Sequence, residues 1–364
     1  MGDLSESRTK IEAIDRQMSE LFVQRMEIAE SIADYKKENG LPILDEKREK
    51  ALIEKNEAYI KEEKLRPYYR QFLRSVLDVS KQYQHTLMED SRIAYNGIEG
   101  AFANIAAAKI FPDSELVACH SFKSAYKSVV TGKCDAVVLP IENSYAGEVS
   151  QVMDLMYEGE LYINGIYPLR ISQNLLGIEG SSIKSIKRVV SHIQALDQCA
   201  DYIAAHGYET IQAGSTAVAA RQVAETGDRT LAAIASKETA ALYGLEILDH
   251  DINEDTNNTT RFAVLSRNRE EVINASEGAT VILMFSVKNE AGMLAEAIKV
   301  IGKHGFSMNA LRSNPLRKLS WQYYFYVEIA GAHSSKKIQD MLDEMSGYCE
   351  SLKVLGASRD YPEL

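Results

Sequence analysis

The spacing of apolar residues changes twice along this 364-residue chain, and each spacing permits a different fold. Residues 1–90 contain few glycines and repeat apolar side chains every three to four positions, which predicts helices. Residues 91–268 alternate short apolar strands with helical stretches, as α/β folds with parallel strands do. After a polar stretch, residues 279–364 follow the ferredoxin-like order β-α-β-β-α-β. We therefore predict three domains: all-α, α/β and α+β.

The composition excludes several classes of protein. A net charge of -11 and a pI near 5.3 argue against non-specific binding to nucleic acid or to an anionic membrane. The four cysteines form no Cys-x-x-Cys pair, and the seven histidines have no metal-ligand spacing. No glycine-rich nucleotide motif and no membrane-spanning apolar run occur. The sequence predicts a cytoplasmic protein that uses neither a cofactor nor a metal.

One stripe of the first predicted helix carries positive charge among apolar residues. Near the helix ends, long cationic side chains can reach solvent, but Arg25 lies in the middle and needs an anionic partner. Arg25 and Lys36 are ~16 Å apart along the axis, whereas Arg8 and Arg25 are ~25 Å apart. We therefore expect Arg8 to reach a site on a second protomer. The stripe consists of Arg8, Ile11, Asp15, Met18, Phe22, Arg25, Ala29, Ile32 and Lys36.

Polar residues also interrupt the apolar pattern of the next two predicted helices. The second helix opens with Asp45 and Glu46, and acidic residues at a helix start can simply suit the helix dipole. On the third helix, Ser80 and Gln84 lie one turn apart where an apolar stripe ends. The full set of polar positions, however, resembles the all-helical class of chorismate mutases over nearly the whole of residues 1–90. That set is Arg8, Arg25, Lys36, Asp45, Arg48, Glu49, Ser80 and Gln84.

The resemblance implies a role for each of these positions. The cations would hold the two carboxylates of chorismate in a folded conformer, and Lys36, Glu49 and Gln84 would hydrogen-bond the ether oxygen as its bond breaks. Such a rearrangement is unimolecular, so positioning and electrostatic stabilisation suffice. The resemblance also implies an intertwined dimer. The implied substrate-binding residues are Arg8, Arg25, Asp45, Arg48 and Ser80.

Four polar clusters follow predicted strands in the middle segment. Ligands of open α/β sheets collect at such strand ends, although Ser and Thr there can also simply cap helices. The repeated hydroxyls favour an anion site. Two stretches of this segment, SVVTGKCDAVVLPIENS and QVAETGDRTLAAIASKE, are weakly similar. The similarity suggests two related lobes but is compatible with chance. The clusters contain Asn143 and Ser144, Ser191 and His192, Ser215 and Thr216, and Thr260, Arg261 and Phe262.

The motifs YNGIEGAFANIAA, LPIENSYAGEV, VVSHIQALDQC, AGSTAVAA and NNTTRF make this segment similar to prephenate dehydratases. The resemblance implies two lobes around a cleft, as in periplasmic binding proteins, and loss of water and carbon dioxide from prephenate. Thr260 is the implied proton donor, and Arg261 binds a carboxylate or stabilises the site. Phe262 packs, and the remaining cluster residues line the pocket. Ala101–Ala103 depart from the family pattern, so no role is assigned there.

The last segment resembles an ACT domain. It combines a Gly292-Met293-Leu294 helix start with Arg312-Ser313-Asn314-Pro315, where the family has Glu-Ser-Arg-Pro. A glycine there also fits a simple tight turn. The resemblance implies that phenylalanine binds between paired copies of the domain, and the change to Arg312 reverses a charge beside that site. The implied effector-binding residues are Gly292, Met293, Leu294, Asn309, Ser313 and Asn314.

Together the three segments resemble bifunctional chorismate mutase–prephenate dehydratases with an ACT regulatory domain, divided at 1–90, 91–268 and 279–364. The implied partners are chorismate, prephenate and a phenylalanine effector, in a homodimer or homotetramer. Two alternatives remain: arogenate dehydratase activity in the middle segment, and a non-catalytic metabolite sensor.

Overall fold

The computed structural model describes residues 4–38, 46–88, 91–255, 257–268, 279–316, 322–331, 335–359 and 361–364. Contacts divide the chain into two compact units. The first contains residues 1–91 and 113–115, and the second contains residues 92–112 and 116–364.

The first unit is helical, as its 3.6-residue periodicity predicts. Helix α1 packs against α3 where small side chains, Ala29 and Ala33, allow the two helices to approach. Further toward the N-terminus of α1, the apolar stripe is uncovered: Ile11, Met18 and Phe22 are 59%, 45% and 46% exposed. The helices are α1 (Leu4–Glu38), α2 (Glu46–Glu57) and α3 (Arg66–Met88), with one 3₁₀ turn at Glu63–Leu65.

The second unit begins with a lobe built on β1, β2, β3, β5 and β11. Its central strands are almost wholly apolar because helices cover them, and β11 returns from far along the chain to lie between β3 and β5. The elements are β1 (Arg92–Asn96), α4 (Phe102–Ile110), β2 (Glu115–Cys119), α5 (Phe122–Val130), β3 (Ala136–Asn143), β4 (Gly147–Glu148), α6 (Ser150–Glu158), β5 (Tyr162–Arg170) and β11 (Thr259–Ser266).

A second lobe is inserted between β5 and β11. Its five-stranded sheet has the order β10-β6-β9-β7-β8, with β7 parallel to both β8 and β9. The chain crosses between the lobes twice, which gives the two-lobed arrangement that the sequence predicts. The elements are β6 (Asn174–Gly177), β7 (Arg188–Ser191), α7 (Ile193–Gln198), α8 (Ala200–His206), β8 (Glu209–Gln212), α9 (Thr216–Thr226), β9 (Leu231–Ala235), α10 (Lys237–Tyr243) and β10 (Glu246–Asp249).

The C-terminal region, residues 279–359, has the predicted order β-α-β-β-α-β. Its antiparallel strands lie in the order β13-β14-β12-β15, and β15 meets β5 through one parallel pair, Gly356 with Ile163. The first lobe and the C-terminal region therefore share one sheet. The elements are β12 (Thr280–Val287), α11 (Met293–Lys303), β13 (Ser307–Pro315), β14 (Tyr323–Ala330), α12 (Ser335–Ser346) and β15 (Cys349–Ser358).

Candidate active sites

The pairing of β11 with β3 determines which predicted residues meet. In this antiparallel register Thr260 lies opposite Asn143, and Arg261 lies opposite Glu142. Because successive side chains of a strand point to opposite faces, Thr260 and Asn143 share one face of the sheet, and Arg261 and Glu142 share the other. Side chains of the TTRF motif therefore lie on both faces of the sheet.

Asn143 is fixed by the turn that follows it. Its side-chain oxygen accepts hydrogen bonds from the backbone N–H groups of Tyr145 (3.0 Å) and Ala146 (2.8 Å). Its Nδ2 must then face the neighbouring strand end, where it donates to Thr260 Oγ1 at 2.9 Å. Since Asn143 supplies that proton, the Thr260 hydroxyl keeps its own proton for donation to a ligand.

Asn258 belongs to the same group of side chains, although the sequence analysis assigned it no role. Asn143 Nδ2 also donates to Asn258 Oδ1 at 2.7 Å, and Asn258 is only 1% exposed. Its own Nδ2 is buried without a hydrogen-bond partner among the residues that the structure describes. Buried amide donors are normally paired, so this one marks a place where a ligand atom is expected.

Arg261 lies on the opposite face from Thr260 and is held by two carboxylates. Its guanidinium donates to both oxygens of Glu328, at 2.8 and 3.1 Å, and to Glu142 at 3.1 Å. Burial alone would lower the pKa of Arg261, but the hydrogen bonds and charge of Glu328 outweigh it and raise that pKa. Of the two roles predicted for Arg261, this geometry favours stabilisation of the site.

Arg312 extends this group of charges. It donates to Glu142, lies 3.4 Å from Glu148 through Nε, and stands over the ring of Tyr326. Glu142, Glu148, Arg261, Arg312 and Glu328 together form what we term the charge cluster. Of these five residues only Arg261 has a predicted role in the dehydratase site, because its partners stand 67 and 119 residues away in the chain and no local spacing indicates them.

The other predicted pocket residues are engaged in local structure. Ser191 is fully buried and donates to the carbonyl of Ile234 at 2.5 Å. His192 and Ser215 are the N-caps of α7 and α9, and Thr216 begins α9. Ser144 Oγ accepts from the backbone N–H of Thr259 at 3.0 Å. Phe262 is buried in the apolar core, as predicted.

A cavity of about 500 Å³ in the second unit borders the start of β11, since its lining residues Leu169 and Arg170 pair with Thr260 and Thr259. Its lining includes Phe102, Arg170, Asn174 and Lys237 but none of the predicted site residues. The case for the site around Thr260 therefore rests on its hydrogen bonding and not on an enclosed volume.

In the helical unit two of the predicted residues, Arg25 and Ser80, are in contact. Arg25 donates to the Ser80 hydroxyl and to the carbonyl of Val76, and burial lowers the pKa of its guanidinium. Among the described residues no carboxylate lies within 4.0 Å of Arg25, so its positive charge is available to an anionic ligand. One turn beyond Ser80, Gln84 is buried, and its Oε1 has no partner within the described part of the chain.

The other predicted mutase residues are more dispersed. Glu49 pairs with Lys81 at 2.8 Å, and both line a cavity of about 510 Å³ that does not include Arg25, Ser80 or Gln84. Lys36 is half-buried on α1, whereas Arg8 and Arg48 are exposed. Asp45 falls outside the described residues.

The predicted effector residues lie on two faces of the C-terminal region. Gly292 has a φ of +87° at the start of α11, and a Cβ there would meet nothing within 4 Å, so the turn itself requires glycine. Met293 and Leu294 follow it, half-buried, and Asn309 and Ser313 are exposed. Asn314 instead is buried and donates to Glu148 at 3.0 Å.

The described residues contain no group of three or more His, Cys, Asp or Glu side chains that could hold a metal ion. All four cysteines are free thiols, and burial raises the pKa of Cys199 to about 12. None of the helices in the described ranges has the length and apolar character needed to span a membrane.

Known proteins match both catalytic segments. The family model for chorismate mutase type II matches residues 7–85, and the model for prephenate dehydratase matches residues 93–270. A bifunctional chorismate mutase/prephenate dehydratase from Neisseria gonorrhoeae is 31% identical over 357 residues, covering 96% of this chain and 95% of that protein. The fold and these matches define an enzyme with a mutase and a dehydratase segment. The chain belongs to the family of bifunctional chorismate mutase/prephenate dehydratases.

Two further proteins resemble the part after the mutase segment. Arogenate dehydratase/prephenate dehydratase 1 from Arabidopsis thaliana is 33% identical over 280 residues, covering 73% of this chain and 71% of that protein. The prephenate dehydratase of Arthrobacter aurescens, solved in complex with L-Phe, has a TM-score of 0.67 at 24% identity and covers 75% of this chain and 92% of that one. This second likeness shows the fold.

The charge cluster generates a prediction about stability. In Glu328→Gln, the half-buried Arg261 loses its bidentate partner, and the free energy of unfolding should fall by about 3 kcal/mol, at the low end for a broken buried ion pair because Glu142 remains and Arg261 is partly exposed. Urea unfolding followed by the fluorescence of Trp321, the single tryptophan, measures this change. Glu350→Gln, an exposed change in the same region, should leave the midpoint unchanged. Equal midpoints for the two variants would contradict a stabilising role for the cluster.

Proposed function

We propose that Thr260 is the proton donor of the dehydratase step and that Arg25, Ser80 and Gln84 form the centre of the mutase site. The observation that carries the first assignment is the hydrogen bond from Asn143 to Thr260, which directs the Thr260 proton away from Asn143. The chain thus converts chorismate to prephenate and then prephenate to phenylpyruvate.

In the mutase step the enzyme holds a reactive conformer and stabilises developing charge. Arg25 supplies a half-buried cation for a substrate carboxylate, and Ser80 orients that cation. Gln84 and Lys36 act on the ether oxygen as its bond to carbon lengthens, and Glu49 joins them by exchanging its pair with Lys81 for the ligand. No proton or electron needs to leave the substrate, so preorganised hydrogen bonds are sufficient.

The mutase site is completed by a second copy of the chain. The uncovered stripe on the N-terminal half of α1 offers Ile11, Met18 and Phe22 for packing against another helix. Arg8 lies beyond that stripe, too far along the axis to reach a ligand at its own Arg25. A homodimer of this kind, or a tetramer built from it, brings Arg8 to the partner's site.

In the dehydratase step two bonds of prephenate break. The ring carboxylate leaves as carbon dioxide, and its electron pair enters the ring as the ring hydroxyl departs. The Thr260 proton goes to that departing oxygen, which leaves as water, and Thr260 regains a proton from solvent. One proton is consumed overall, and the product ring is aromatic. The task of the protein is therefore to stabilise the departing oxygen.

The C-terminal region would be the regulatory part of the enzyme, an ACT domain that binds phenylalanine. Support comes from its β-α-β-β-α-β order, from the positive-φ Gly292 turn and from the Arthrobacter aurescens relative, whose structure contains L-Phe. Gly292, Met293, Leu294, Asn309 and Ser313 are the candidate contacts, whereas Asn314 is occupied by Glu148.

The alternative substrate is arogenate, which the relative from Arabidopsis thaliana is named for together with prephenate. We favour prephenate because the same chain makes it in the mutase step. Steady-state turnover of the two compounds, each assayed with and without phenylalanine, decides both substrate and effector. A larger kcat/KM for arogenate, or a rate unchanged by phenylalanine, would contradict the corresponding part of the proposal.

The proton-donor role is tested by Thr260→Val, which removes the hydroxyl while keeping the branched shape. We expect dehydratase kcat to fall about 10²- to 10⁴-fold, the usual contribution of a positioned acid. Mutase activity of the same protein should be unchanged, and Thr260→Ser should retain most dehydratase activity. A Thr260→Val enzyme with wild-type phenylpyruvate production would exclude this donor.

The shared mutase site is tested by complementation. Arg25→Ala and Arg8→Ala should each remove mutase activity while sparing the dehydratase. In mixed dimers of the two variants, one site retains both arginines if Arg8 crosses between protomers, so mutase activity should return to about half of its wild-type value or less. Chorismate loss is the measurement. Verified mixed dimers with no recovery would count against the crossing.

A further inference from the structure

Thr260 alone is a weak acid for the departure of a hydroxyl group. Neutral alcohols donate strong hydrogen bonds but transfer protons reluctantly, and enzymes usually surround a developing oxyanion with more than one donor. The structure can therefore be searched for a second donor beside Thr260.

The hydrogen bonds around Asn143 fix the direction of every polar group in this cluster. The backbone N–H groups of Tyr145 and Ala146 occupy the Asn143 oxygen, so its Nδ2 must be the atom that faces Asn258 and Thr260. An amide nitrogen can only donate, and the atom of Asn258 that it meets at 2.7 Å must therefore be the oxygen. Asn258 Nδ2 is then directed away from Asn143.

Asn258 Nδ2 is buried, and a buried donor without a partner is destabilising. Asn258 is 99% buried, and no described residue accepts from its Nδ2. Leaving such a group unpaired is destabilising, and a hydrogen bond to a bound oxygen atom would remove that cost. Both the Thr260 hydroxyl and Asn258 hydrogen-bond to the same nitrogen, at 2.9 and 2.7 Å, so the two donors belong to one small site.

We propose that Asn258 is a second catalytic donor of the dehydratase, whose Nδ2 hydrogen-bonds to the departing hydroxyl oxygen of the substrate. The inference rests on the proposed role of Thr260: Thr260 gives that oxygen a proton, and Asn258 stabilises the charge that builds on it. Asn143 positions both donors but does not itself contact the departing oxygen.

The test is Asn258→Asp, which keeps the oxygen that accepts from Asn143 and replaces the donor by a carboxylate oxygen. At pH 8 dehydratase kcat should fall about 10²- to 10³-fold, the effect of losing one such donor. Burial beside an anionic substrate raises the pKa of the new carboxyl, and its protonated form can donate again. We therefore expect kcat to recover as the pH falls toward 5, after subtraction of the uncatalysed rate.

Three comparisons make the result decisive. Asn257→Asp places the same charge on the exposed neighbour and should stay within about threefold of wild type, a change of about 0.7 kcal/mol. Asn258→Ala should lose kcat without recovering at low pH. The urea midpoint of each protein reports whether the unit that carries Asn258 has folded, and mutase activity reports the same for the helical unit.

Asn258→Asp with wild-type kcat at pH 8 would overturn the inference, and so would a loss confined to KM or a loss that low pH does not reverse. Thr260→Val separates this outcome from a failure of the proposed function. If Thr260→Val is inactive while Asn258→Asp is fully active, Thr260 acts without this second donor. If Thr260→Val is fully active, the proposed proton donor is wrong whatever Asn258 does.

Discussion

The antiparallel pairing of β11 with β3 is the constraint on which both the dehydratase site and its support depend. The register places Thr260 beside Asn143 on one face and Arg261 beside Glu142 on the other. A shift of one residue would exchange these faces and would put a guanidinium where a proton donor is needed. The Asn143 amide and the charge cluster each hold this register, one from each side of the sheet.

Because Thr260 and Arg261 lie on opposite faces of the sheet, these two adjacent residues have different roles. In the proposed mechanism the Thr260 hydroxyl donates to the ligand, so its donor direction must stay open. Arg261 is half-buried and pairs with the buried carboxylate of Glu328, and a buried carboxylate needs such a partner in order to be tolerated. From the sequence, Arg261 was a candidate to bind a substrate carboxylate. In the structure it already pairs with the carboxylate of Glu328.

Local sequence patterns predicted the three folds because periodicity, strand-end polar residues and turn glycines act over a few residues. They also singled out Asn143, which ends β3, and Thr260, which lies at the start of β11 and does not follow a strand as expected. The period of two along β11 separates the side chain of Arg261 from that of Thr260. The contacts of Glu328 and Arg312 could not be found in this way, because they depend on a sheet that joins distant segments. The caps at His192 and Ser215 show that a polar side chain at a strand end can have a purely structural partner.

The charge reversal at Arg312 is accommodated because that side chain faces Glu142, Glu148 and Glu328. The cluster takes two of its residues from the C-terminal region and three from the dehydratase lobe, so its members are expected to vary together during evolution. A C-terminal region carrying glutamate at this position would bring a fourth carboxylate to the charge cluster in place of its second cation. Exchange of C-terminal regions between family members should therefore succeed only for pairs whose charges on the two sides of this contact match.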